Sequence, residues 1–245
     1  MNEIEISNLF FSYPHEKEKR TVLKDISFTL SQNENVGLIG ANGVGKSTLL
    51  KLLVGLLTVE QGTIKIEEQL VEKKHLKEIR AKIGYVFQDS DSQLFMPTVY
   101  QDVAFAPENY GFSKEEVKRR TMEALLKVGM EAYQSRPIYS LSGGEKKLVS
   151  MATILSMEPG VILLDEPSVA LDPKNRRRLI GIIKGMEGAK LIASHDLDFI
   201  YDTCERTIFL SGGEILADGD TKEILQNKEL LEKNGLELPL SLSRR

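Results

Sequence analysis

The sequence predicts an α/β protein: a parallel-sheet core, an N-terminal antiparallel β subdomain and an inserted α-helical subdomain. Three observations carry that prediction. Four short, β-rich apolar runs are separated by helical patterns. Each run leads into polar residues of chemical use. A mostly helical stretch, residues 97–140, separates the second run from the third.

Taken in order, Ile4, Ile6 and residues 9–11 and 22–30 read as antiparallel strands covering one side. Residues 36–39 lead into Gly40. Leu50, Leu53, Val54 and Leu57 then follow the i, i+3, i+4, i+7 spacing of an amphipathic helix after Lys46. Residues 83–87 lead into Gln88. Within the helical stretch, Ser113 is placed to cap a helix ahead of Glu116. Leu148, Met151, Ala152 and Leu155 repeat the helical spacing after Ser142. Residues 161–164 lead into Asp165 and Glu166, and residues 191–193 lead through Ser194 to His195. The expected division is residues 1–96 with 141–220 as core, 97–140 as helical subdomain, and 221–245 as a tail of two short helical pieces. In an open parallel sheet, ligands bind outside the carboxyl ends of the strands. If the four runs are neighbours, their polar ends share one edge; the alternative is four unrelated strand ends.

Composition narrows the class. The chain has 245 residues, 41% hydrophobic and 28% charged, enough for a sizeable core. Its formal net charge of −4 gives no basic field for nucleic acid. The basic runs at 114–120 and 174–178 read as solvated helix faces. Cys204 is the only cysteine, which excludes a disulfide within the chain and suits a reducing compartment. The opening MNEIEISNLF shows no signal-peptide pattern. No run of about 18 apolar residues is present, so a membrane role would come through a partner.

Residues 40–48, GANGVGKST, match the phosphate-binding pattern G-x-x-x-x-G-K-S/T. Gly40, Gly43 and Gly45 let backbone N–H groups approach phosphate oxygens, and the following helix points its positive end at the same anion. Lys46 can reach the β- and γ-phosphates, and Ser47 can hold Mg²⁺. Asn42 and Thr48 complete the nucleotide-binding set. One carboxylate of the pair Asp165–Glu166 can serve the metal while the other orients water, although such a pair can also merely cap a turn. Ser142, Gly143 and Gly144 at a helix start form a second anion-binding terminus, or an ordinary N-cap. His195 by itself reads more often as a structural hydrogen bonder, and Tyr13 as a core or edge aromatic.

GANGVGKST, Gln88, LSGGE, VILLDEP, SVALDP and SHD occur in the order found in ATP-binding-cassette ATPases, and the sequence resembles that family from Phe11 to about Gly219. The resemblance implies a P-loop NTPase core of the RecA-like type and a pair of subunits that sandwich two ATPs. It implies that Ser142, Gly143, Gly144 and Glu145 meet ATP held by the partner, and that Asp172 lies at the seam. Glu166 becomes the general base, and His195 a γ-phosphate contact. Gln88 becomes a link between Mg²⁺ and the membrane interface, Asp165 a metal residue, and Tyr13 the adenine stacker. Three departures stand out: Glu145 where glutamine is commoner, Leu148 where arginine is usual, and SVALDP at the seam.

Residues 88–111, with FSYP, resemble the ATPases of energy-coupling factor importers. The tail segment HDLDFIYDTCERTIFLSGGEILADGD is most similar to the cobalt/nickel type. This implies a membrane coupling subunit and a substrate-capturing membrane subunit, placing the chain at the cytoplasmic face of the membrane. Asp89 and Asp91 are candidates to meet arginines of the coupling subunit; the other reading is a solvated acidic loop. Vitamin import, a soluble cassette acting on ribosomes or DNA, and a nucleotide-dependent assembly switch remain the alternatives.

Overall fold

The computed structural model describes residues 2–14 and 20–243. Strands β1 (Asn2–Tyr13) and β2 (Arg20–Ser31) pair antiparallel, with Ile4 opposite Leu30 and Ile6 opposite Phe28. Alternate side chains therefore turn to one face, where all four are buried. Strand β3 (Asn35–Ile39), buried from its second residue on, runs into the glycine loop, and α1 (Lys46–Leu53) follows. Next, β4 (Gln61–Ile66) and β5 (Gln69–Leu70) complete an antiparallel sheet of order β2-β1-β4-β5.

Helix α2 (Leu76–Lys82) delivers β6 (Ile83–Val86). This strand stops one residue short of the expected 83–87. The Phe87 N–H is taken by Gln93 Oε1 at 3.1 Å, so it does not extend the ladder. Helices α3 (Val99–Asn109) and α4 (Lys114–Lys127) come next, and Ser113 caps α4 by accepting the Glu116 N–H. Then α5 (Gly143–Leu155) leads to β7 (Val161–Asp165), α6 (Pro173–Gly185) and β8 (Ala189–Ala193). The chain closes with α7 (Leu197–Thr203), β9 (Arg206–Ser211), β10 (Glu214–Asp220), α8 (Thr221–Gln226) and α9 (Lys228–Lys233).

The larger sheet has the order β10-β9-β3-β8-β7-β6, parallel except for the edge strand β10. The four predicted runs are therefore consecutive neighbours, and their carboxyl ends meet on one edge. Successive strand residues serve opposite faces. Ile162 and Leu164 join the core beneath the helices α3 to α7, while Val161 and Leu163 join the core shared with α1 and the antiparallel sheet.

The two basic runs are not simply solvated. Arg120 pairs with Glu116 and Glu158 and lies over the Phe112 ring. Arg176 pairs with Asp196, and Arg178 donates to the carbonyls of Val128 and Gly129. Arginine's planar fork spans several acceptors, which lets a charged run fasten one helix to its neighbours. The tail also packs: Leu225 and Leu231 are fully buried, and the Leu240 and Ser241 N–H groups donate to the Asp198 carboxylate. Its last two residues, 244 and 245, lie outside the described residues.

Cys204 is buried beside Thr203, and burial pushes its thiol up to about 12. Thiol reagents attack the thiolate. At pH 8, the folded chain should therefore react with a disulfide reagent at least about a hundredfold more slowly than the urea-unfolded chain, as followed by absorbance.

Candidate active site

The glycine loop between β3 and α1 has little conformational freedom. Gly40, Gly43 and Gly45 sit at φ of 150°, 80° and 116°. A Cβ at Gly40 would collide with the Leu210 carbonyl oxygen, and one at Gly45 would meet Leu23 Cδ2 at 2.8 Å. Both positions thus exclude a side chain by backbone angle and by space. Lys46 is only 6% exposed; its Nζ donates to Gly40 O at 2.7 Å and lies 3.7 Å from Glu166 Oε1. Burial holds the Lys46 ammonium below its ordinary range, with the charges of Glu166 and Asp165 pulling back. Tyr13, set edge-on to Phe11, shares a hydrogen bond of 3.2 Å with Thr48 Oγ1.

Asp165 ends β7 and is buried. It accepts from Ser47 Oγ at 2.9 Å and from Tyr85 OH at 3.1 Å. Burial raises its carboxyl above the usual range, against the pull of those two hydrogen bonds. A carboxylate raised by burial, beside a hydroxyl, is an all-oxygen pair suited to a hard divalent cation. Glu166 follows in the left-handed region at φ 47°, and its N–H still reaches Ala193 O at 2.8 Å. That backbone angle turns its side chain off the strand line. Oε2 accepts from Ser194 Oγ at 3.0 Å, from the His195 N–H at 3.2 Å, and bonds His195 Nδ1 at 2.8 Å. Oε1 faces Lys46. A cleft of about 610 Å³ is lined by Asn42, Gly43 and residues 45–48 of the loop together with Gln88, Glu166 and His195. That volume is in the range of small-ligand sites. A larger hollow beside Pro159 and Gly188 is lined by none of these residues.

The structure does not bring Ser142–Glu145 into that cleft. Ser142 caps α5 by accepting the Glu145 N–H at 3.3 Å, and Glu145 Oε2 accepts the Ser142 N–H at 2.8 Å. This reciprocal pair is a capping box. The turn lies against the start of α6 instead. A Cβ on Gly144 would meet Asn175 Nδ2 at 2.5 Å, and that amide donates to Asp172 Oδ2 at 2.6 Å. Asp172 is itself the cap of α6. Two groups of site residues therefore exist on one chain: a phosphate-type cleft, and a helix start grouped with Asp172.

The family model for ABC transporters matches residues 23–169. The chain belongs to the ABC transporter family. It is 42% identical to the energy-coupling factor transporter ATP-binding protein EcfA of Carboxydothermus hydrogenoformans, over 97% of this chain and 87% of that one. It superposes on CbiO1 of Clostridium perfringens, described as part of the ABC transporter complex CbiONQ, with a TM-score of 0.84. That match has 32% identity and covers 99% of this chain and 98% of that one. A dimeric ATP-binding cassette in a post-hydrolysis state, bound to ADP and Pi, matches with a TM-score of 0.80 at 26% identity. The match covers 89% of this chain and 98% of the other. The chain is accordingly an ATP-hydrolysing transporter subunit of the ABC family. Among the described residues, no helix is long and apolar enough to cross a membrane.

Several residues of this ABC ATPase that shape the site were not singled out from sequence. Tyr85 holds Asp165 from the neighbouring strand, and Ser194 holds Glu166. Their only sequence signal is a polar atom in or beside an apolar strand. The acidic residues after Gln88 are engaged: Asp89 accepts from Asp91 N and Ser92 Oγ, and Asp91 pairs with Lys146 at 2.6 Å. Leu148, where the family more often has arginine, is buried in the core. Tyr85→Phe removes a buried donor from Asp165 without changing ring volume. It should lower stability by about 1–2 kcal/mol, read from urea unfolding at neutral pH.

Proposed function

We propose that this subunit powers an energy-coupling factor importer by closing with a second cassette over two ATPs. The reading rests chiefly on one observation: Ser142–Gly144 stand outside the cleft that holds Lys46, Glu166 and His195. A helix start rich in free N–H groups is an anion site. A second copy, or a paralogue, would present that turn to the phosphates held by residues 40–48, with Asp172 at the seam. Residues 97–140 act as the helical subdomain on a core of 1–96 and 141–220, with 221–245 as tail.

Each group has a distinct task. Backbone N–H groups of the glycine loop and the Lys46 ammonium bind the β- and γ-phosphates, for which Lys46 exchanges its carbonyl acceptors. Tyr13 stacks on adenine, worth roughly 1–3 kcal/mol in comparable sites. Ser47, Asp165 and Gln88 would hold Mg²⁺, which when bound neutralises charge on the phosphates. Glu166 takes the proton of the attacking water on Oε1, because Oε2 is already committed to Ser194 and His195. His195, with Nδ1 fixed by Glu166 and its side chain 49% exposed, leaves Nε2 for the γ-phosphate. With phosphoryl transfer, this positioning supplies most of the catalysis.

The likeness to EcfA and CbiO1 supports partners of the same kind: a membrane coupling subunit and a capture subunit, with this chain on the cytoplasmic face. The tail resemblance and CbiO1 favour cobalt or nickel as the cargo. An arginine of the coupling subunit that reached Asp91 would displace Lys146. Mass spectrometry of the intact membrane complex tests this reading. A metal-capture subunit supports it, a vitamin-capture subunit redirects it, and ribosomes or DNA in place of a membrane partner overturn it.

Two substitutions test the chemistry. Glu166→Gln should keep ATP affinity, abolish steady-state hydrolysis and accumulate an ATP-bound dimer on size-exclusion chromatography; wild-type turnover would remove Glu166 as the base. Lys46→Ala should weaken ATP binding by at least about tenfold in calorimetry, in line with a lost charge-assisted contact.

A further inference from the structure

We infer that Lys147 is a positioning residue that fastens the Gln88 loop to the helix bearing Ser142–Gly144, so that the two sites it joins respond together. The inference rests on the proposed pairing of subunits, and its tests are chosen to fail separately from it. Lys147 lies on α5, little more than one turn beyond the Ser142 cap, and is only 3% exposed. Its Nζ donates to Phe87 O at 2.9 Å and to Gln88 O at 2.7 Å. Asp89 and Asp165 balance its charge from further away.

A buried ammonium must be solvated by the protein itself. Here the solvating oxygens are two consecutive carbonyls of the loop. Moving the loop away from α5 would strip the ammonium of both acceptors, so the contact resists separation. Gln93 adds a second tie. Its Oε1 accepts the Phe87 N–H, while its Nε2 donates to Ser150 O at 2.9 Å and Thr153 Oγ1 at 2.8 Å on the same helix. The exposed pair Lys146–Asp91 adds little by comparison. One end of this unit, Gln88, lines the cleft of its own chain. The other end, Ser142–Gly144, is the turn offered to the partner's phosphates. A displacement of Gln88 therefore becomes a displacement of the Ser142–Gly144 turn.

Lys147→Met keeps length and apolar contact while removing the donor. In the purified full chain it should bind ATP within about twofold of wild type, yet lose about tenfold or more in kcat, the scale set by misplacing a reacting group by about 1 Å. Hydrogen exchange at residues 87–93 should quicken while residues 36–39 stay unchanged. A purely structural role would lower the melting temperature without this split between binding and turnover. Wild-type kcat and exchange in Lys147→Met would overturn the inference. The wild-type chain gives an independent test: protection of residues 87–93 and 141–146 should rise at the same ATP concentrations, and different midpoints would overturn the coupling whether or not the variant folds. Glu166→Gln separates the two claims. If it is inactive while Lys147→Met is normal, this inference alone fails; if it turns over normally, the underlying reading fails.

Discussion

The site depends on one buried charge. Lys46 is sealed under the glycine loop, and its ammonium has to be solvated by what surrounds it: Gly40 O, Ala41 O at 3.4 Å, and Glu166 Oε1. Taking a charge out of water is costly unless it is paired and hydrogen-bonded. That constraint fixes the loop's curl, because both carbonyls must point inward. It also explains why Gly40 and Gly45 admit no Cβ: the inward curl presses them against Leu210 and Leu23. The carbonyl acceptors of Lys46 are replaceable by phosphate oxygens at little cost, because one set of oxygens stands in for another. The burial that makes the ammonium costly to hold is the burial that strengthens its grip on an anion.

Glu166 answers the same constraint from the other side. Its two oxygens are made unequal. Ser194 Oγ donates to Oε2 while accepting the Asp196 N–H at 3.1 Å, so the serine locks the carboxylate to the turn that carries His195. Arg176 then grips Asp196 through Nε at 3.1 Å and Nη2 at 3.2 Å. Such a bidentate pair holds geometry as well as charge. Arg176 belongs to the helix capped by Asp172. The His195 turn and the Asp172 helix are thus one braced unit, much as the Gln88 loop and α5 are another. The cleft is stiff where it binds and is connected outward at two places, both next to the residues that stand outside it.

The parallel core and its chemical edge were legible because they depend on short-range patterns. The runs at 36–39 and 161–164 alternate faces within an all-apolar stretch, and the polar residue after each marks the carboxyl end. That β3, β8, β7 and β6 lie side by side is seen only in their pairing, since the right-handed crossover rule fixes the hand of each connection and not the strand order. What sequence could not display was pairing across distance. Arg120, Arg178 and Lys147 look like solvated charge in the chain, and become fasteners only when Phe112, Val128 or Phe87 is brought beside them. Phe87 was likewise indistinguishable from the strand before it. Only Gln93, six residues on, decides that its N–H leaves the ladder.

Glu145 shows how local and intersubunit demands can oppose each other. Within the chain, a carboxylate at the third helical position is favourable. It accepts the Ser142 N–H, which holds it below the usual carboxylate range, and it sits at the positive end of α5. Glutamine would make the same hydrogen bond without the charge. By closing on Ser142, Glu145 uses that N–H and leaves those of Gly143 and Gly144 as the donors at the tip of the helix. Under the proposed pairing, these two amides face the partner's γ-phosphate with a negative charge close behind them. The stabilisation of the isolated helix is therefore set against the attraction for ATP across the seam. A cassette with glutamate here should close less tightly and release more readily than one with glutamine, which suits a motor that must open again after each hydrolysis.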